Sequence, residues 1–153
     1  MKNIANHLAA LLTTAWVGSL WAVGYLAVPV LFYAQPDRQL AGMLAGRMFS
    51  LVFCVGAACG IYLLASQLFM SGKSSLKSAI FWITASMLLL TLVILCGIQP
   101  VMNGLKAQAL PLDVMHSQFA DRFYTLHHIS STLYSIISLL GVALVIKMKR
   151  PSY

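Results

Sequence analysis

The residues best suited to chemistry lie on the last apolar stretch of the chain, where His127 begins a polar stripe. At about 100° per residue, Ser131, Tyr134, Ser138 and Gly141 fall on the same helix face as His127. Such a stripe belongs in the interior of a helix bundle, because exposing it to lipid costs free energy. A neutral imidazole there could hydrogen-bond a neighbouring helix, ligate a haem iron or metal ion, or titrate in a proton path. The sequence leaves these three interpretations open.

A haem or metal site would need a second ligand besides His127. His116 and Asp121, in the preceding loop, are candidates, and His128 points roughly 100° away from His127 on the helix. Under this alternative the cofactor-binding residues are His127, His116 and His128. No H-E-x-x-H or C-x-x-C motif supports them. Histidines at matching membrane depth occur on one apolar stretch only, which argues against a bis-histidine haem. The cofactor stays unknown, with haem or a metal ion as the alternative.

The sequence predicts no catalytic residues. It has no Ser-His-Asp order with a supporting context, no glycine-rich phosphate loop and no carboxylate pair within an apolar stretch. Apart from Arg47, near an edge, no charged residue lies deep in an apolar stretch, whereas proton-coupled transporters usually place ionisable groups there. We therefore expect a non-enzymatic protein, and a passive pore formed by an oligomer remains compatible with the sequence.

Four long apolar stretches must position these residues, at about 8–34, 48–70, 79–102 and 124–146. Each is long enough to cross a hydrocarbon core of about 30 Å as a helix. The chain is 60% hydrophobic and 8% charged, which leaves no room for a separate soluble domain among its 153 residues. The first stretch is too long for a cleaved signal peptide. We predict one integral membrane domain over residues 1–153, an all-α bundle of four transmembrane helices.

The positive charges flank these spans and predict the orientation. One side of the predicted bundle carries Lys2, Lys73, Lys77, Lys147, Lys149 and Arg150 and no acid. The other side carries Arg38, Arg47, Lys106 and Arg122 together with Asp37, Asp113 and Asp121. By the positive-inside rule both termini are cytoplasmic and the chain lies in the inner (plasma) membrane. The net charge of +7 then reflects topology and contact with lipid headgroups rather than nucleic-acid binding.

Small residues recur at helical spacing and predict close packing between the spans. In the second span, Gly42, Gly46, Ser50, Cys54 and Ala58 form one ridge, and Gly56 and Gly60 form another. In the first span, Thr14, Gly18 and Ala22 do the same. We expect the first and second spans to pack along these ridges, with contact between copies of the chain as the alternative.

Two prolines predict irregular helix turns on the outer side. Pro29 and Pro100 deprive the carbonyls of Tyr25 and Cys96 of their helical donors. Loosened turns there could open a polar pocket, although both could also be ordinary kinks. The predicted pocket consists of Pro29, Arg47, Gln99, Pro100, His127, Ser130, Ser131 and Tyr134.

Two segments in the outer loops have the pattern of short amphipathic helices. In residues 111–123, Met115, Phe119 and Phe123 form an apolar edge, and Pro111 suits a first helical turn. Residues 36–47 have a similar character, with Asp37 near the helix start.

Two sequence stretches resemble a known family. The first comprises Trp16-Val17-Gly18, Gly24 to Phe32, Pro36-Asp37-Arg38 and Leu40 to Phe49. The second is Phe123-x-x-Leu126-His127-x-x-Ser130-x-x-Leu133. Together they resemble the DUF4149 family of small four-helix membrane proteins, which is similar to eukaryotic transmembrane protein 205. The resemblance implies four membrane helices and no particular activity. A looser likeness to copper-resistance D-type and haem-pathway four-helix proteins keeps the metal or haem alternative open.

The function expected from these features is that of a non-enzymatic accessory or helix-binding subunit, in a larger membrane complex or a homo-oligomer. Its expected partners are the lipid bilayer and other membrane helices. The alternatives are a haem- or metal-binding protein using His127 and a small transporter or channel.

Overall fold

The computed structural model describes residues 2–110 and 114–148 of the chain, and within these ranges the regular structure is entirely helical. The α-helices are α1 (Lys2–Trp21), α2 (Val28–Ala34), α3 (Arg38–Ser71), α4 (Ala79–Leu92), α5 (Gln99–Ala109) and α6 (Ala120–Met148). Wider π-helical turns at Ala22–Ala27 and Val93–Ile98 join α1 to α2 and α4 to α5. Short 3-10 helices occupy Gly72–Lys77 and Val114–His116.

These elements form four continuous rods that are long and apolar enough to cross a membrane, at Ile4–Ala34, Arg38–Lys77, Ala79–Ala109 and Ala120–Met148. We call them spans 1 to 4. Each span packs against its neighbours along the chain, and span 1 also packs against span 4, which closes a four-helix bundle. This confirms the predicted all-α, multi-pass membrane protein. Each predicted apolar stretch lies within one span, and the helices extend beyond it because the flanking polar residues continue the same rods.

Each π-helical turn is followed, after one intervening residue, by a proline: Pro29 after the first turn and Pro100 after the second. The amide of Val28 donates a hydrogen bond to the carbonyl of Val23, and the amide of Gln99 donates one to the carbonyl of Ile94. Each of these hydrogen bonds therefore spans five residues instead of four. A proline cannot supply the regular donor, and a widened turn accommodates the altered bonding. Pro29 and Pro100 are both exposed on the surface of the bundle. The two irregular turns lie at the end of the bundle that carries the links 35–37 and 110–119, which we call the outer end after the predicted orientation.

Close packing between spans 1 and 2 centres on Trp16, which is 1% exposed. A Cβ on Gly56 would overlap its indole ring, and a Cβ on Gly60 would make a tight contact with it at 3.0 Å. The expectation for the other ridges was wrong. Thr14, Gly18 and Ala22 are exposed, and no neighbouring atom lies within 4 Å of a Cβ placed on Gly18.

The ridge from Gly42 to Ala58 also does not face span 1 as predicted. Cys54 and Ala58 are exposed on the surface of the bundle, and a Cβ on Gly42 would have no neighbour within 4 Å. A Cβ on Gly46 would meet only the Lys106 ammonium, at 3.7 Å. The spacing of small residues gives a smooth face, but the large partner, here Trp16, decides which of two smooth faces is used.

The predicted amphipathic segments are not separate helices. Residues 38–47 are the first turns of α3, and Asp37 caps that helix by accepting hydrogen bonds from the amides of Gln39 and Leu40, at 2.9 and 3.0 Å. In the other link, Val114–His116 is a single 3-10 turn and α6 begins at Ala120. Pro111 and Asp113, like Lys149 and Arg150, lie outside the described residues.

A cavity at the outer end of the bundle

All four spans contribute to a cavity of about 970 Å³ at the outer end. It is lined by Gly24 and aromatic side chains of span 1, by the first turns of α3, by α5 and by the outer half of α6. Its volume is near the upper end of the range for small-molecule pockets, about 300–1,000 Å³. The chemical type of the lining side chains changes with depth, from cationic at the rim to aromatic at the floor.

The floor of the cavity is aromatic. Tyr134 is buried, and its ring meets Phe49 and Phe53 edge-on, with ring centroids 5.2 and 5.9 Å apart. Its hydroxyl donates a hydrogen bond to the carbonyl of Leu20 on span 1. The ring also lies where a side chain on Gly24, within the first π-helical turn, would be. These contacts close the cavity toward the packed core beneath it.

Polar groups line the walls of the cavity. The Ser50 hydroxyl lies 2.9 Å from the Gln99 side-chain oxygen, which allows it to donate a hydrogen bond from span 2 to span 3. His127 faces the cavity, and its ring stacks on Phe123 one turn earlier, with centroids 6.2 Å apart. Ser130 also lines this wall. The walls therefore offer hydrogen-bonding groups on spans 2, 3 and 4.

The rim carries three cationic side chains, Arg38, Arg47 and Lys106. The Lys106 ammonium donates a hydrogen bond to the carbonyl of Gly42 at 3.1 Å and lies 5.4 Å from the centre of the Phe123 ring. Both arginines are exposed. No aspartate or glutamate is among the described residues that line the cavity. The rim side chains that the structure describes are therefore cationic, above polar walls and an apolar floor.

The cavity has a lateral side between spans 1 and 4. The rings of Tyr25 and Tyr134 still meet, with centroids 6.2 Å apart, but beyond them α2 packs mainly against α3 and α6 mainly against α1, α4 and α5, so the outermost parts of spans 1 and 4 diverge. Tyr25 of span 1 and Tyr124, Ser131 and Ser135 of span 4 are exposed beside this gap, and all four line the cavity. Polar groups on a membrane helix thus border an opening toward the surrounding lipid.

Most of the predicted pocket is brought together here. The cavity is lined by Arg47, Gln99, His127, Ser130, Ser131 and Tyr134. Pro29 and Pro100 do not line it, and their inclusion was wrong, because both rings face outward. Their effect is indirect: they accompany the π-helical turns, and one of these turns carries Gly24 to the Tyr134 ring.

The three histidines of the cofactor alternative do not converge. All three are exposed: His127 lines the cavity, His128 packs edge-on against Tyr124 with ring centroids 4.4 Å apart, and His116 lies in the 3-10 turn. Consecutive residues on a helix point about 100° apart, which separates His127 from His128. In the described parts of the chain, no three His, Cys, Asp or Glu side chains are grouped so that they could hold a metal ion.

Sequence reasoning missed several residues of the cavity. Arg38 and Lys106 were assigned to loops as topology signals, and Phe49, Phe53 and Gly24 were not assigned to the site. The spacing of Phe49 and Phe53, one helical turn apart, was an available signal, since it places two aromatic rings on one face of α3. Their common partner Tyr134 lies on another span and could not be identified from local spacing.

Comparison with known proteins gives one result. A family model described as "Domain of unknown function (DUF4149)" matches residues 11–111, which include three of the four walls of the cavity. Comparisons with curated proteins and with solved structures found no match.

Proposed function

The chain belongs to the DUF4149 family, and we propose that it is a non-enzymatic accessory protein of the membrane that binds an amphiphilic molecule in its outer cavity. The observation that carries this proposal is the layering of the cavity, with an aromatic floor, polar walls and a cationic rim. A gradient from apolar to charged complements a ligand with an apolar chain and a polar head.

The depth of the cavity supports such a ligand. Arg47, Gln99 and His127 lie 20–24 residues from the inner ends of α3, α4 and α6, or about 30–36 Å along the helix axes. They are therefore level with the outer edge of a hydrocarbon core of about 30 Å. The floor at Tyr134 is seven residues deeper, about 10 Å into the hydrocarbon. The rim thus lies among headgroups and the floor among acyl chains.

The floor also argues against a transmembrane helix as the occupant. A helix docked in this space would need to continue across the bilayer, but Tyr134, Phe53 and the buried Trp16 and Leu20 fill its path. A molecule that ends within one leaflet fits the space. The same packed layer separates the cavity from the inner end of the bundle, so a transport function would require a second conformation.

The predicted helix-binding role would use a different surface. Gly18 is exposed in a shallow apolar groove of about 380 Å³, which it shares with Val17, Trp21, Val142 and Ile146. A second copy or a partner subunit docked there would be compatible with ligand binding at the outer end. We place the protein in the inner membrane with both termini cytoplasmic on the strength of the charge asymmetry.

Filling the cavity tests the proposal. Gly42 lines it, and a Cβ there would meet no atom within 4 Å, so Gly42→Phe adds a ring to the cavity without a clash at its first atom. Gly18→Phe is the matched control, since Gly18 is equally unobstructed and lies outside this cavity. Native mass spectrometry of the gently purified protein measures the amphiphiles retained. We expect retention by the wild type and Gly18→Phe and a loss of about tenfold in Gly42→Phe. Equal retention by all three would contradict the proposal.

A further inference from the structure

We infer that the ligand is an anionic phospholipid whose headgroup is held at the rim by Arg38, Arg47 and Lys106. The inference rests on the proposed function, since it assigns the chemical class of the molecule in the same cavity. It concerns the charge of the head, which the cavity's shape alone does not determine.

The first argument is the sign of the charge at the rim. Arg38 and Arg47 lie nine residues apart on α3, about 13 Å along the axis, and Lys106 approaches the same edge from α5. The Lys106 bond to the Gly42 carbonyl fixes that ammonium between the two arginines along α3. Each of these side chains carries a positive charge to the lining of the cavity, and an anion bound there is attracted to them. Guanidinium groups also match the geometry of phosphate oxygens.

The second argument concerns the positions of the two acidic residues that the structure describes, Asp37 and Asp121. The Asp37 carboxylate precedes Arg38 in the chain, but it accepts hydrogen bonds from the amides of Gln39 and Leu40 and does not line the cavity. Asp121 is exposed at the start of α6, outside the lining. Neither of these two carboxylates lines the cavity.

The third argument distinguishes a lipid from a free anion. A small inorganic anion has no apolar part that could contact the floor formed by Phe49, Phe53 and Tyr134 below the rim. The gap between spans 1 and 4 lets an acyl chain extend from the cavity into the surrounding leaflet while its head stays at the rim. An anionic phospholipid has a charged headgroup that suits the rim and acyl chains that suit the floor.

The test offers the full-length protein in detergent an equimolar mixture of dioleoyl phosphatidylglycerol and dioleoyl phosphatidylcholine, with retained lipid measured by native mass spectrometry. We expect the wild type to prefer phosphatidylglycerol by about tenfold, since a charge-assisted contact contributes about that factor. Arg47→Gln should reduce the preference to near unity, and Arg47→Lys should keep most of it. Arg122→Gln, which removes an exposed outer-side arginine outside the cavity, is the matched control and should behave like the wild type.

Each other outcome overturns the inference in a distinguishable way. If both lipids are retained equally and Gly42→Phe reduces both, the proposed function stands and the anionic headgroup is wrong. If Gly42→Phe changes the retention of neither lipid, the proposed function fails as well. A preference that survives both Arg47→Gln and Arg38→Gln, or displacement of the lipid by inorganic phosphate alone, would also overturn it. Arg38→Gln, at an exposed helix start, provides the second variant if Arg47→Gln does not fold.

Discussion

The hydroxyl of Tyr134 on span 4 donates a hydrogen bond to the carbonyl of Leu20 on span 1, just before the chain enters the π-helical turn at Ala22–Ala27. This contact joins the two spans at the level of the cavity floor, and α1 and α6 also pack against each other nearer the inner end. It forms the floor of the cavity and the top of the packed core at the same time. The stability of the bundle and the shape of the site therefore depend on the same side chain.

Removing only the hydroxyl should separate its bond from the packing of the ring. We expect Tyr134→Phe to destabilise the bundle by about 1 kcal/mol, since the ring contacts with Phe49 and Phe53 remain and only the bond to Leu20 is lost. Reversible unfolding in mixed micelles measures this difference. Tyr124→Phe, at an exposed position on the same span, is the control and should be neutral. Equal effects in the two variants would show that the bond contributes nothing.

A side chain at Gly24, in the π-helical turn of span 1, should destabilise the protein. A Cβ there would overlap the Tyr134 ring, so Gly24→Ala should destabilise the protein by about 1–3 kcal/mol. Gly97 lies in the corresponding π-helical turn of span 3, and a Cβ placed on it would have no neighbour within 4 Å. Gly97→Ala should therefore change the free energy of unfolding by less than about 0.5 kcal/mol. If the two substitutions had the same effect, the turn itself rather than the Tyr134 contact would be responsible.

The contact between Trp16 and Gly56 should behave as a coupled pair. Gly56→Ala places a methyl group against the indole and should destabilise the bundle, whereas Gly104→Ala, with open space around it, should not. Trp16→Phe shortens the ring and should recover part of the loss in the double variant. A double-mutant cycle should give a coupling energy of about 1–3 kcal/mol. Additive effects would place the two residues out of contact.

The start of α3 should depend on the Asp37 carboxylate. Asp37→Ala should destabilise the first turn by about 1 kcal/mol and speed hydrogen exchange at the amides of Gln39 and Leu40. Asp37→Asn should preserve both properties, because an amide oxygen also caps a helix. The turn carries Arg38, so ligand retention should fall with Asp37→Ala and persist with Asp37→Asn. Similar exchange rates in the two variants would rule out capping.

The orientation can be read from the accessibility of two links. In a variant whose native cysteines are replaced, a cysteine at Leu110 should react with a membrane-impermeant maleimide in intact cells. A cysteine at Ser74, in the link between spans 2 and 3, should react only after permeabilisation. Both positions are exposed in the structure. The reverse pattern would invert the proposed topology and place the cavity in the cytoplasmic leaflet.

Sequence reasoning identified the levels of this structure that depend on local pattern. Hydropathy alone locates the four spans, and the ring of Pro29 or Pro100 is enough to predict an irregular turn before it. Of the predicted stripe, Tyr134, Ser138 and Gly141 are buried as expected for the bundle interior, whereas His127 and Ser131 line the cavity but are exposed. These features follow from spacing along one helix.

Features that depend on which side chains meet between spans could not be predicted from the sequence. Nothing local distinguishes the exposed Gly18 from the buried Gly56, because the difference is the position of one indole ring. Lys106 reads as a loop charge until its bond to the Gly42 carbonyl brings it to the rim. The cavity exists because side chains from four spans meet at one level, which no single stretch encodes.

The most direct test of the central claim is to find where the acyl chain of a bound lipid ends. A phosphatidylglycerol analogue carrying a diazirine at the end of one acyl chain would be incorporated with the full-length protein, photolysed, and its adducts mapped by mass spectrometry. We predict adducts at the floor of the cavity, on Phe49, Phe53 or Tyr134, that disappear in Gly42→Phe and persist in Gly18→Phe. Adducts confined to outward-facing side chains such as Leu51, Leu89 and Leu139 would contradict the account.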